Sequence, residues 1–152
     1  MVKRGFRVRG LGEIAVRCGD LERMAAFYGD VIGLERMSGH DSEGIVFFHV
    51  AEGFAGHTQI LALFDKSYVP RPGLHPIGTE APATGAASSL HHLAFSLPAH
   101  EQEAVMLWYD AKGLPYRVEY FDWIGWRGVF TEDPEGNTVE LVAHTGPQPA
   151  GK

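Results

Sequence analysis

Glu13-Ile-Ala-Val and His92-Leu-Ala-Phe are short alternating runs, and each leads into a helical pattern that ends at a glycine followed by a leucine. Gly33-Leu34 falls 20 residues after Glu13, and Gly113-Leu114 falls 21 residues after His92. Three further strand-like runs follow each helical pattern. Two copies of roughly 55 residues, each reading βαβββ, restrict the chain to a duplicated α+β architecture. The modules occupy residues 10–65 and 90–145, with a linker at 66–89 and a tail at 146–152 that is expected to be disordered.

Local chemistry marks the element ends. In the first module Gly19-Asp20 stops a strand, and Asp20 is a good N-cap for the helical spacing of Leu21, Met24, Ala25, Tyr28 and Ile32. Gly33 suits the position after the helix. Strands are predicted over Leu34–Met37, Ile45–Val50 and His57–Phe64, separated by polar or glycine-containing turns. Residues 66–89 hold Pro70, Pro72, Pro76 and Pro82 among glycines, alanines and serines, a composition that resists regular structure.

In the second module Leu90–Leu97 is predicted as a strand and His100–Lys112 as a helix, with Val105, Trp108 and Tyr109 at core spacing. Three strands follow: Leu114–Tyr120, Trp126–Thr131 and Thr138–Ala143. The turn before the last one, Asp133-Pro-Glu-Gly-Asn137, combines a preset φ at Pro134, a permissive Gly136, and Asp and Asn side chains able to bond their own backbone. Along Thr138-Val-Glu-Leu-Val, Glu140 points to the face opposite Val139 and Leu141. A carboxylate there is either on the solvent side or turned into an interior.

Composition excludes several function classes. The 45% apolar and 21% charged fractions are those of a soluble globular protein, and 152 residues make one domain of ordinary size with a real core. A net charge of −6 provides no positive field for nucleic acid. The basic residues Lys3, Arg4, Arg7 and Arg9 read as a solvated arm. The single Cys18 allows no internal disulfide and reads as an inert buried thiol. No run suits a membrane span or a signal peptide, so the expected compartment is the cytoplasm. A phosphate-cradling glycine loop, a cysteine cluster and a Gly-x-Ser-x-Gly elbow are all missing from the sequence.

Glu13 and His92 hold matching places on the first strands of the two modules, each among apolar neighbours. If the modules pack with approximate twofold symmetry, these side chains converge, and Glu140 from the last strand of module two joins them. One imidazole and two carboxylates on rigid strands form a divalent-metal constellation suiting Zn, Mn, Ni, Co or Fe(II). Each residue also has an ordinary reading: a strand glutamate facing water, or a histidine that is simply hydrogen-bonded.

The sequence resembles the vicinal oxygen chelate superfamily, which includes glyoxalase I, bleomycin-resistance proteins, extradiol dioxygenases and methylmalonyl-CoA epimerase. The resemblance rests on Leu11-Gly-Glu-Ile-Ala-Val-Arg with Asp20-Leu, and on Phe27-Tyr-x-Asp-Val-Ile-Gly-Leu34. It rests equally on Leu90-His-His-Leu-Ala-Phe and Phe130-Thr-Glu-Asp-Pro-Glu-Gly-Asn-Thr-Val-Glu-Leu. It implies two tandem βαβββ modules forming an open barrel-like sheet around a central cavity, one divalent metal ion, and a homodimer. It also implies that Glu13, His92 and Glu140 are the metal ligands, with a fourth position near Ala62, or Ile60 if that strand slips. Two departures matter: the first-strand position carries Glu13 where the family usually has His or Gln, and the fourth position has no carboxylate. They disfavour an extradiol dioxygenase and an ordinary glyoxalase I.

The expectation is a metal-dependent isomerase or lyase acting on a small oxygenated substrate, with Glu140 or Glu13 moving the proton. The alternative is a metal-free binding or resistance protein for a drug or metabolite. Candidates for holding substrate are His57, Gln59 and His49 in module one, and Trp126, Arg127, Phe130 and Tyr120 in module two. Trp123 and Tyr116 are candidates for the same aromatic wall, and Arg17, Arg117 or Arg127 for meeting an anionic substrate. His91, of opposite parity to His92, is expected to face away.

Overall fold

The computed structural model describes residues 3–37, 44–68 and 80–146. The polar turn after Met37, much of the linker and the tail beyond Gly146 lie outside the described residues. The chain divides into two compact units, Met1–Pro82 and Ala83–Lys152. Among the described residues no helix is long and apolar enough to cross a membrane.

The first unit contains β1 (Glu13–Cys18), α1 (Leu21–Ala26), β2 (Glu35–Arg36), β3 (Ile45–Glu52) and β4 (Thr58–Asp65). Its sheet has the order β1-β4-β3-β2, with β1 parallel to β4 and the other pairs antiparallel. The second unit repeats this plan. It holds β5 (Leu93–Ser96), α2 (Gln102–Ala111), β6 (Arg117–Phe121), β7 (Trp126–Glu132) and β8 (Thr138–His144). Its order is β5-β8-β7-β6, and β5 is parallel to β8. A parallel pair needs a crossover, which is why each first strand runs directly into a helix before the chain returns. The expected α+β class with tandem βαβββ modules is therefore what the chain adopts, as two four-stranded mixed sheets.

Each sheet buries one face under its helix. In the first unit Val16, Cys18, Val46, Phe48, Leu61 and Leu63 alternate onto that face and meet Met24, Ala25 and Tyr28. Fully burying one such side chain contributes about 1.5–3 kcal/mol. Cys18 is completely buried with its thiol toward the carbonyl of Val16, as an inert core thiol would be. In the second unit Leu93, Val129, Val139, Leu141 and Tyr109 form the equivalent core.

Asp20 caps α1 as its sequence position predicts, its Oδ1 accepting from the Arg23 N–H at 3.1 Å. From Phe27 to Val31 the helix widens into a π turn, closed by the Ile32 N–H donating to the Phe27 carbonyl at 3.0 Å. Phe27 and Tyr28 are both buried there and meet edge to face at 5.2 Å between ring centroids. Gly33 and Gly113 end the two helical segments at φ 86 and 64, a region that favours glycine.

Three local expectations change. Strand β5 starts at Leu93 and β6 at Arg117, each three residues later than the composition suggests, because the ladders with β8 and β7 begin there. Pro115 has no N–H to give a ladder, and its carbonyl accepts from the Thr131 hydroxyl instead. Trp108 is not a core residue. It is 42% exposed and stacks under Lys112, whose Nζ lies 4.4 Å from the ring centroid, while Gln102 and Tyr109 are the buried residues of α2.

Candidate functional site

Register assigns each sheet residue a face. In the second unit Ala94, Glu140, Phe130 and Arg117 form one row across β5, β8, β7 and β6. Ser96, Val142, Gly128 and Glu119 form the next row on the same face. His92, two residues before Ala94, leads into this face from just outside the ladder.

Here the imidazole Nε2 of His92 lies 3.3 Å from Oε2 of Glu140. Glu140 is only 5% exposed, so of its two possible orientations the chain adopts the interior one. Burial pushes its carboxyl above the usual carboxylate range, partly offset by the charge and hydrogen bonding of His92. Below the carboxylate lies Gly128. A β-carbon there would collide with Oε1 of Glu140 and with the ring of Phe130. A glycine inside a strand marks such a close approach, and that was the available sequence signal for Gly128.

Aromatic rings surround the pair. Phe130 packs against the His92 imidazole at 6.2 Å and against Phe121 at 6.3 Å between centroids. Arg117 lies 5.7 Å from the Phe130 centroid, with its Nε bonded to Glu119 at 2.8 Å. Trp126 registers with His144 on this same face and is 43% exposed. Phe121, which registers with Trp126, belongs to the group although composition alone did not single it out.

His91 does not turn away from His92. Both residues precede the ladder, so strand alternation does not govern them, and their Nδ1 atoms approach to 2.8 Å.

Two further candidates go to the opposite face. Arg127 points under α2, where its Nε donates to Oε1 of Gln102 at 2.6 Å and its Nη1 lies 3.5 Å from Glu103. Tyr120 registers with Arg127 and shares that face, 65% exposed. Tyr116 packs on Tyr109 at 5.9 Å, and Trp123 is 83% exposed in the turn between β6 and β7. The structure brings none of these four to the Glu140 carboxylate.

In the first unit Glu13, Ile60, His49 and Glu35 make one row across the sheet, with Glu13 exposed. His49 Nε2 lies 3.8 Å from Glu52. His57 packs its ring over Gly12, and Gln59 pairs with Ala51 beyond a bulge and alternates away from Ile60. The pairs Ile14–Leu61 and Leu93–Val139 make Ala62, rather than Ile60, the counterpart of Glu140. Ala62 is fully buried and offers no donor.

The donors of His92 and Glu140 suit a divalent first-row ion. Two ligands each about 2.1 Å from one ion lie about 3.0–3.4 Å apart, a range that includes the distance seen. Among the described residues no group of three or more His, Cys, Asp or Glu converges.

The model of the Glyoxalase/Bleomycin resistance protein/Dioxygenase superfamily matches residues 10–141. No curated protein matches the sequence. Among solved structures the chain is similar to a lactoylglutathione lyase from Agrobacterium tumefaciens, with 27% identity and a TM-score of 0.65, over 88% of this chain and 92% of that one. It is similar in fold to a glyoxalase/bleomycin resistance protein/dioxygenase from Nocardioides, with 21% identity, a TM-score of 0.69, and 98% and 93% of the two chains covered. A genomically encoded fosfomycin resistance protein from Listeria monocytogenes shares the fold at 18% identity and a TM-score of 0.59, over 91% and 96%. The matched segment spans both βαβββ modules and both members of the His92–Glu140 pair, and the chain belongs to the Glyoxalase/Bleomycin resistance protein/Dioxygenase superfamily.

Proposed function

We propose that this chain is a divalent-metal-dependent enzyme of isomerase or lyase type acting on a small oxygenated substrate. His92 and Glu140 are two of its protein ligands, and Glu13, at the matching place on the first strand of the other module, is the candidate for a third. The observation that carries the reading is the His92–Glu140 approach of 3.3 Å, on a face where Gly128 makes room for the carboxylate. The likeness to a lactoylglutathione lyase supports the reaction class.

A bound ion would polarise substrate oxygens and favour an anionic intermediate. The chain's own residues do the rest. Glu140, held above the ordinary carboxylate range by burial, is a stronger base than an exposed glutamate and takes or returns a proton at Oε2. Phe121 and Phe130 keep water from that carboxylate, and Trp126 offers a flat apolar surface. Arg117, beside Phe130, is a cation on this face that would meet an anionic substrate group.

A second reading is a metal-free binding protein for a small drug or metabolite. It is favoured by the aromatic lining and by the convergence of only two donors among the described residues. The homodimer belongs to both readings and is checked by light scattering of the purified protein.

Elemental analysis of protein purified without chelator, beside a Glu13→Ala/His92→Ala double variant, decides between them. About one divalent ion per chain in the wild type, lost in the variant, supports the enzyme. Wild type that neither carries nor takes up a divalent ion overturns it in favour of the binding protein. A Glu13→Ala single variant with undiminished metal affinity removes Glu13 from the ligand set.

A further inference from the structure

We infer that His91 is a positioning residue for His92: through its Nδ1 contact it orients the His92 ring and keeps either neutral tautomer of that ring hydrogen-bonded. The role at a metal rests on the proposed ligand assignment; the orienting role does not.

Both nitrogens of His92 are engaged. Nε2 faces Oε2 of Glu140 at 3.3 Å, and Nδ1 faces Nδ1 of His91 at 2.8 Å. The two imidazoles meet edge to face, with centroids 5.0 Å apart and planes at 73°, and the Phe130 ring closes a further side of His92. The ring is thus held by a carboxylate, an imidazole and an aromatic edge.

Two ring nitrogens at this distance share one proton, because two N–H groups or two lone pairs would repel. An ionised Glu140 only accepts, so a neutral His92 facing it carries its proton on Nε2. Its Nδ1 then has a lone pair, and the Nδ1–H of His91 donates to it. When Nε2 is needed as a metal donor it must lose that proton. The proton of His92 then resides on Nδ1 and is donated to Nδ1 of His91, which holds its own proton on Nε2. His92 gives its Nε2 proton to water, His91 passes its Nδ1 proton to His92, and His91, an exposed residue, takes a proton from water at Nε2. The pair gains and loses no net proton. An imidazole suits this because it can donate or accept at one place; a lysine or arginine could only donate.

The test compares wild type with His91→Leu and His91→Gln. Long-range proton–nitrogen spectra of the histidine rings in metal-free protein read the state of His92 directly. The His92 Nδ1 resonance is expected to move in His91→Leu and to return toward its wild-type position in His91→Gln, whose amide can donate or accept. An Nδ1 resonance unchanged in His91→Leu overturns the inference. Cobalt(II) titration followed by visible absorption reads the metal role. His91→Leu is expected to bind about 10–100-fold more weakly, as removal of a partner behind a ligand typically does, with most affinity restored by glutamine. Equal affinity in wild type and His91→Leu overturns the metal role. If wild type takes no cobalt, the metal reading alone fails, and the ring spectra still decide whether His91 orients His92.

Discussion

The carboxylate of Glu140 occupies the space above Gly128 that a β-carbon at that position would need. Gly128 registers with Val142 and Glu140 with Phe130, so the two are diagonal neighbours on one face of β7 and β8. The glycine is there for room, not for backbone conformation. Gly128→Ala should force the carboxylate or the Phe130 ring aside and destabilise the fold by about 1–3 kcal/mol. Urea denaturation of Gly128→Ala, Glu140→Ala and the double variant measures the coupling. The alanine penalty should shrink when Glu140 is already truncated; an equal penalty in both backgrounds refutes the steric link.

Asp133 organises the turn that delivers β8. Its Oδ1 accepts from the N–H groups of Glu135 at 2.9 Å and Asn137 at 3.0 Å, and its Oδ2 from the Asn137 side chain at 2.8 Å. The residue is 4% exposed, so these donors have little water to turn to. Asp133→Ala should cost roughly 2–3 kcal/mol in a denaturant midpoint experiment, and Asp133→Asn less, since an amide oxygen still accepts.

Gln102 ties α2 to the sheet. Its Nε2 donates to the carbonyls of Arg127 at 2.7 Å and Leu141 at 3.1 Å, while its Oε1 accepts from Arg127. Gln102→Ala should lower stability by about 2–3 kcal/mol, because it strands a guanidinium nitrogen and opens a cavity. Cobalt affinity should not change, because this network is on the face opposite Glu140. A parallel loss of metal affinity at temperatures where the variant stays folded would contradict that separation.

Tyr109 is fully buried, and among the described residues its hydroxyl has no hydrogen-bond partner. Burial pushes its pKa from 10.0 up to about 12. The folded state therefore holds the phenolic proton more tightly than the unfolded chain does. The stability this contributes is complete below pH 10.0 and is lost as pH rises toward about 12. Tyr109→Phe should gain about 1 kcal/mol at neutral pH by removing an unsatisfied hydroxyl. It should also lack this alkaline decline, which denaturant titrations at pH 7 and above pH 10 would detect. A variant less stable than wild type at neutral pH would show that the hydroxyl is satisfied.

Much of the fold was legible along the chain because its signals are local. Alternation marked β1, strand-favouring composition between turns marked β3, β4, β7 and β8, Asp20 marked the start of α1, and Gly33 and Gly113 marked the helix ends. The repeat predicted two equal modules, and both sheets have the same strand order and one parallel pair each. His92 and Glu140 were singled out on the first and last strands of module two, and the parallel pairing of β5 with β8 is what sets them side by side.

What the sequence could not decide depends on partners distant along the chain. Period-two alternation separates Arg127 from Trp126 but does not say which of the two faces the helix; that follows from Gln102, 25 residues away. The ends of β5 depend on where β8 can pair, and because the ladder starts at Leu93, the ring of His91 is free to reach His92. Gln102, rather than Trp108, is buried against the sheet because the sheet offers buried carbonyls to an amide. By itself the sequence determined the elements, their order and their duplication, all governed by short-range propensity and periodicity. Tertiary structure decided the register, the buried state of Glu140 and which side chains meet it, because those are set by the free energy of packing whole strands and helices together.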